Sequence, residues 1–330
     1  MRAVVLVGGF GTRLRPLTYS VPKPMLPVGH VPIIERLITN LVRGGVTDVT
    51  LALGFKPEPF IEAFPSGTCA GARLSYAVEP EPLDTAGAIR FAADAAGIDD
   101  TFVVVNGDVL TDLDIAQLIA FHRAKGAEAT LHLIAVDDPS SFGVVALDAD
   151  GRVERFVEKP APGTAPSNLI NAGTYVLEPS VLGRIPLGEK VSIERVTFPA
   201  IVEAGGVFAM ATDDYWIDTG KPELYLAANL DVVAARRRFD RCDPVAPGAS
   251  VAESAVVVES VIAAGVHVNA HAHIERSVLL GSAVVAAEAT VIDSVVMGHV
   301  GAGATVMGSV IGADAEVEAG EHLDGVRRPS

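Results

Sequence analysis

Three glycines and a series of cations open this chain. Gly8, Gly9 and Gly11 are followed by Thr12, Arg13 and Arg15, and then by Lys23 between two prolines. No acidic residue precedes Glu35, although the 330-residue chain carries a formal net charge of -16. Glycine lets a backbone approach a ligand closely and adopt conformations closed to other residues. Backbone amides beside cations that no nearby acid opposes make a local anion site, and a phosphate chain is the usual anion. The spacing is neither the P-loop, which ends in Gly-Lys-Ser/Thr, nor the Rossmann G-x-G-x-x-G.

Other residues able to do chemistry are spread downstream. Asp108, after Asn106 and Gly107, is a carboxylate where an apolar run stops. Such a group suits a metal that carries a nucleoside triphosphate, because Mg2+ takes a few carboxylates and fills its shell with phosphate oxygen and water. It also suits a turn or a helix cap. Glu79 and Glu81 lie in a proline-rich stretch, Glu158 precedes Lys159, Asn171 precedes Ala172-Gly173, and Asp218 follows Trp216-Ile217. Taken singly, each is equally a solvated charge, a turn residue or a cap.

The elements that must position these residues alternate. Ala3 to Val7, with Leu6 near its end, reads as a buried strand running into the glycines. Residues 33–42 have helical spacing and meet Gly44-Gly45 as a C-cap. Strands are expected over 46–53, 74–78 and 102–105, with a loop over 79–87 and a helix over 88–96. A helix over 113–125 and a strand over 130–136 follow. A hairpin then pairs a strand opening at Ser141 with Val153–Val157 across the turn Asp148-Ala149-Asp150-Gly151. Another strand starts at Asn171, and a helix runs from about Pro222 to Ala235. Alternating strands and helices imply a Rossmann-like α/β fold with a mixed, mainly parallel sheet. In such sheets ligands bind beyond the carboxyl ends of the strands, so the glycine loop, the Glu79 loop and Asp108 should share one edge.

The whole string GGFGTRLRPLTYSVPKPMLP resembles the signature G-G-x-G-T-R-L-x-P-L-T-x-x-x-P-K-P of the sugar-1-phosphate nucleotidylyltransferases. Asn106-Gly107-Asp108, Glu158-Lys159-Pro160, Asn171-Ala172-Gly173 and Trp216-Ile217-Asp218-Thr219-Gly220 resemble further motifs of that family, in the same order. The resemblance implies a GT-A-like nucleotidyltransferase domain and transfer of a nucleotidyl group from a nucleoside triphosphate to a sugar 1-phosphate, with Mg2+ as cofactor. It makes Arg13, Lys23 and Asp108 the catalytic residues and Asp108 and Asp218 the metal ligands. Nucleotide contacts fall to Leu6, Gly8, Gly9, Gly11 and Thr12, to Arg13 and Lys23, and to Asn106 and Gly107. Gly143, Glu158, Lys159, Asn171 and Gly173 fall to the sugar phosphate.

The stretch Glu81-Pro82-Leu83-Asp84-Thr85-Ala86-Gly87 resembles the E-P-L-G-T-A-G of mannose-1-phosphate guanylyltransferases, departing at Asp84. That likeness adds Thr85, Ala86 and Gly87 to the nucleotide contacts and makes GTP and mannose 1-phosphate the expected substrates. Guanine presents two adjacent donors on one edge, which a carboxylate from Glu79 or Glu81 can accept together. UTP or dTTP with glucose 1-phosphate, and a regulatory subunit that binds nucleotide sugars without turnover, are the rival readings.

From Val245 onward the helical pattern is gone. Aliphatic residues recur at six-residue steps, as at Ile262, Val268, Ile274 and Leu280, and Ser-Val recurs at Ser260, Ser277, Ser294 and Ser309. This resembles a left-handed parallel β-helix of about four coils. The expected division is a catalytic domain over 1–238, a linker over 239–244, the β-helix over 245–325 and a tail over 326–330. Hexapeptide coils also carry acyltransferases, which use a His, and His267, His271, His273 and His299 lie here. No extra elements support that chemistry, so the domain reads as a homo-oligomerisation module. Composition bounds the rest: 49% hydrophobic and 20% charged residues mark a globular chain, and its acidity argues against nucleic-acid or membrane partners. Two distant cysteines, Cys69 and Cys242, give no disulfide framework or metal spacing, and no signal segment is visible, so a soluble, cytoplasmic protein is expected.

Overall fold

In the computed structural model, residues 1–9, 11–54, 57–238 and 241–329 are described. They form two compact units. One comprises Met1–Gly9 and Ile34–Trp216; the other comprises residues 11–33 with those from Ile217 onward.

The first unit is a ten-stranded sheet with helices against it. Its parallel half is β1 (Arg2–Leu6), β2 (Asp48–Leu53), β3 (Ala72–Val78) and β4 (Phe102–Asn106). Ala3, Val4 and Val5 are wholly buried, as expected for a central strand covered on both faces. The other half contains β5 (Ala129–Ala135), β6 (Gly143–Leu147), β7 (Val153–Glu158), β8 (Leu169–Leu177) and β9 (Val207–Thr212). The strand order is β7-β6-β8-β4-β1-β2-β3, closed at that edge by the short tenth strand Thr68–Cys69 antiparallel to β3, with β5 also on β8 and β9 on β5. β6 and β7 form the expected antiparallel hairpin, and β8 runs antiparallel to β4.

Helix α1 (Ile33–Arg43) ends at Gly44-Gly45, where Gly45 has a φ of +89°. Helix α2 (Asp84–Ala95) begins four residues before the expected start at Ala88, so part of the expected 79–87 loop is helical. The Val191 carbonyl accepts the amides of Ala86 and Gly87, which satisfies first-turn donors that a helix leaves unpaired. Helix α3 spans Ile115–Lys125, with Asp114 capping the Gln117 amide and Gly126 left-handed at its end. Among the described residues no helix is long and apolar enough to cross a membrane.

The second unit holds the signature loop, folded into short 3-10 turns at Thr12–Leu14, Leu17–Tyr19 and Lys23–Met25, with helix α4 (Pro222–Val233). Its remainder is a three-faced parallel β-helix, as the left-handed β-helix reading expects. Each face stacks five short strands, so there are five rungs where about four were expected. Ser-Val marks four rungs; the fifth carries Val326 at the serine position, which hides it in the sequence. Arg327–Arg328, placed in the tail by sequence, pairs with Val310–Ile311 as the last strand of the third face. The serines form a buried ladder. Each hydroxyl donates to the carbonyl two residues before it and accepts the amide of the next rung, as Ser277 Oγ does with Glu275 and Ser294.

Candidate functional site

Strand register brings the first group of candidates to one edge. Leu6 pairs with Ala52 on one side and Asn106 on the other, and Leu53 pairs with Val78. Gly8, Gly54, Glu79 and Asn106-Gly107-Asp108 therefore leave the parallel strands together. The fit is close. A Cβ on Gly54 would stand 2.8 Å from the Gly8 carbonyl oxygen, and one on Gly107 would stand 2.5 Å from Val7 Cγ1. The Gly107 amide donates to the Leu6 carbonyl at 2.8 Å, fixing where Asp108 departs.

Glu79 is buried, with 7% of its surface exposed. Its Oε2 accepts the Leu83 amide at 2.8 Å, closing the turn before α2, and Oε1 lies 3.7 Å from where a Gly8 Cβ would stand. Burial pushes its carboxyl above the ordinary glutamate range, against the opposing pull of the Leu83 hydrogen bond. Glu81 is exposed. Thr85 Oγ1 donates to Glu194 Oε2 at 2.7 Å and accepts the Ile193 amide at 2.9 Å. Thr85, Ala86 and Gly87 thus anchor α2 to the 191–194 segment, and Asp84 occupies a left-handed φ of 60°. Glycine reaches that conformation without strain, and aspartate tolerates it better than most residues.

The sugar-phosphate candidates gather on β6, β7 and β8. Gly143 lies opposite Glu158, and a Cβ on it would meet Phe156 at 2.6 Å and Glu158 Oε2 at 3.0 Å. Lys159 is exposed, holds a left-handed φ of 49° and lies 3.3 Å from Glu158. Asn171 donates from Nδ2 to Tyr175 Oη at 2.9 Å and accepts the Gly173 amide at 3.1 Å. Gly173 interrupts the register of β8 with a φ of +75°, and Asn106 Nδ2 lies 2.7 Å from where its Cβ would stand. Tyr175 is fully buried. Its phenol is pushed well up by burial and further by the charges of Glu194, Glu158 and Asp108. Glu194 and Tyr175 belong to no motif in the sequence, and nothing there points to them.

In the second unit the signature cations meet an acid. Lys23 is 6% exposed, and its Nζ lies 3.5 Å from Asp218 Oδ1. The same oxygen accepts the Gly220 amide at 2.8 Å. A Cβ on Gly220 would stand 2.6 Å from Arg13 Nη2, so the guanidinium lies directly over this glycine. Gly11 takes a φ of +60°, and a Cβ there would stand 2.9 Å from Thr18 Cγ2 and 3.2 Å from Lys23 Cβ. Thr18 Oγ1 donates to its carbonyl at 2.8 Å. Thr12 is exposed at the start of the first 3-10 turn.

Among the described residues no three or more His, Cys, Asp or Glu side chains are grouped to hold a metal. His273 of the β-helix bonds Glu275 instead, at 3.2 Å.

Residues 2–235 match the family model described as nucleotidyl transferase. The chain belongs to the nucleotidyl transferase family. A second model, the GlmU-like C-terminal hexapeptide, matches residues 233–323. Among similar members of the nucleotidyl transferase family is the mannose-1-phosphate guanylyltransferase of Mycobacterium tuberculosis, 44% identical over 235 residues, 70% of this chain and 64% of the relative. A probable mannose-1-phosphate guanylyltransferase 1 of Oryza sativa is 47% identical over 232 residues, 68% of this chain and 63% of the relative. The chain therefore spans a little under two thirds of the length of these relatives. The crystal structure of HddC from Yersinia pseudotuberculosis complexed with GMP-PN matches with a TM-score of 0.59 and 31% identity, covering 69% of this chain and 97% of that one.

Proposed function

We propose that this chain is a mannose-1-phosphate guanylyltransferase, joining mannose 1-phosphate to GTP and releasing pyrophosphate. The observation that carries the reading is the constellation of Arg13, Lys23 and Asp218 around Gly220. The names of relatives at 44% and 47% identity, and the guanine nucleotide analogue in HddC, support the choice of substrates.

A phosphate oxygen of the sugar attacks the α-phosphorus of GTP in line, and the bond to pyrophosphate breaks. The nucleophile is already an anion, so no general base is required. The barrier is the approach of two polyanions, which positioned cations lower. Arg13 is assigned to the departing pyrophosphate, Lys23 to the α-phosphate and Lys159 to the sugar phosphate. Glu158 and Asn171 are assigned to sugar hydroxyls. Glu79 is assigned to the paired donors of guanine.

Asp108 and Asp218 are the carboxylates proposed to hold Mg2+. Asp218 suits a hard cation: it is a carboxylate held in place by the Gly220 amide. When bound, the metal would neutralise triphosphate charge. The β-helix is proposed to join copies of the chain, and the cytoplasm is the proposed location.

The test is pyrophosphate release from each common nucleoside triphosphate, paired with mannose, glucose and N-acetylglucosamine 1-phosphates, with and without Mg2+. Preference for GTP with mannose 1-phosphate, lost on metal removal, is the expected result. Preference for UTP or dTTP with glucose 1-phosphate would transfer the assignment to the rival substrates.

A further inference from the structure

The signature loop carries a backbone acceptor that its own turn cannot serve. In the 3-10 turn Thr12–Leu14 the amides of Leu14 and Arg15 donate to the carbonyls of Gly11 and Thr12. The next bond of that series would run from residue 16 to the Arg13 carbonyl. Residue 16 is Pro16, which has no N–H to give.

The donor comes from the other end of the chain. Arg327 Nη1 donates to the Arg13 carbonyl at 3.0 Å, 314 residues away in sequence. A second contact, made by the backbone, supports the same meeting. A Cβ on Gly312, which follows the fourth strand of the third face, would stand 3.0 Å from Pro16 Cβ and 2.5 Å from the Pro329 carbonyl oxygen, so the same face of the β-helix meets the loop one strand before Arg327 as well. Adjacent Arg328 turns elsewhere. Its Nη1 reaches Glu321 Oε2 at 2.8 Å and the Glu316 carbonyl at 2.8 Å, tying the rung to itself.

We infer that Arg327 is a positioning residue for Arg13: the last β-helix rung completes the turn that aims the Arg13 guanidinium over Gly220. The β-helix is thereby part of the nucleotide-handling machinery as well as a module for joining copies. This rests on the proposed role of Arg13 with nucleotide.

The experiment compares Arg327→Ala, Arg327→Lys and Arg328→Ala in the full chain, with GTP, mannose 1-phosphate and Mg2+. Two readouts are taken, KM and kcat for GTP, and amide exchange at Leu14 and Arg15 without nucleotide. Arg327→Ala is expected to raise KM about tenfold, the order a small misplacement of a binding group produces, and to speed exchange at both amides. Arg327→Lys, which keeps a donor, should recover most of both, and Arg328→Ala should match the parent in both. Wild-type kinetics and exchange in Arg327→Ala beside an active parent would overturn the inference alone. Equal losses in Arg327→Ala and Arg328→Ala would also overturn it, because they would mark a general loosening of the rung. A parent silent with every nucleotide would overturn the functional reading first, and this inference with it.

Discussion

Lys23 and Asp218 are 195 positions apart in sequence, yet Lys23 Nζ lies 3.5 Å from Asp218 Oδ1. The cation that the first 34 residues leave without an acid acquires one from the Trp216–Gly220 stretch. Arg13 lies over Gly220 beside the same carboxylate. If these groups stabilise charge that develops on phosphate, losing any one should cost turnover more than fold. Arg13→Ala, Lys23→Ala and Asp218→Ala are each expected to lower kcat by ~100-fold, about 3 kcal/mol of transition-state stabilisation. Steady-state pyrophosphate release checks the rate, and circular dichroism checks that each variant remains folded. Near-parental rates in Arg13→Ala would remove it from the mechanism.

Gly220 offers a gentler probe of the same group. The atoms nearest its missing Cβ are Arg13 Nη2 at 2.6 Å and Asp218 Oδ1 at 2.8 Å. The first is the end of a flexible side chain, so a methyl there would push the guanidinium aside without moving the backbone. Gly220→Ala is expected to keep the parental melting temperature within a few degrees and to lose roughly tenfold or more in kcat/KM. A crystal structure of the variant should show Arg13 displaced.

Much of this arrangement was legible because the residues proposed for the site sit in local motifs. Gly11, Arg13 and Lys23 fall in one string, and the alternation of strands predicts the shared edge for Gly8, Glu79 and Asp108 that the registers of Leu6 and Leu53 display. What escaped depends on residues far apart in sequence. The early start of α2 is set by the Val191 carbonyl about a hundred residues on, and propensity within 84–87 carries no trace of it. Glu194 meets Thr85 only after the chain has folded. The fifth rung was hidden by a single replacement, Val326 for serine, and Arg327 looked like part of a tail because two arginines carry no β pattern of their own.

Glu79 yields a prediction in pH. Burial raises its folded pKa, with the Leu83 amide opposing. An ionised carboxylate can accept both guanine donors, whereas a protonated one presents a competing O–H. Affinity for GTP should therefore fall on acidification, starting at a higher pH than for an ordinary glutamate. KM for GTP measured downward from pH 8 tests this. Glu79→Gln should abolish that pH dependence and reduce discrimination for GTP over UTP by about 1–3 kcal/mol.

The serine ladder should be graded along its length. Ser277→Ala removes the acceptor of the Ser294 amide, and Ser294 is 1% exposed. Leaving that N–H without its partner should destabilise the β-helix by about 1–3 kcal/mol. Ser309 serves the Val326 amide, which is only partly buried. Water can reach it more readily, so Ser309→Ala should cost less. Urea midpoints for the two variants provide the ranking, and a larger loss at Ser309 would contradict the ladder as the source of the effect.

His132 on β5 should govern acid stability of the first unit. Its Nε2 lies 2.9 Å from Thr212 Oγ1, and its Nδ1 is buried without a hydrogen-bond partner among the described residues. Burial pulls its pKa down to about 4 from an ordinary value of 6.5. The folded state thus keeps the ring neutral where the unfolded chain would protonate it. The sign follows: stability from this group is complete above pH 6.5 and is lost as pH falls towards 4, with a span of up to about 3 kcal/mol. Urea unfolding of the parent at pH 7, 6, 5 and 4.5 should show that decline. His132→Leu should flatten the slope over the same window whatever it does to stability at pH 7, and an unchanged slope would place the acid sensitivity elsewhere.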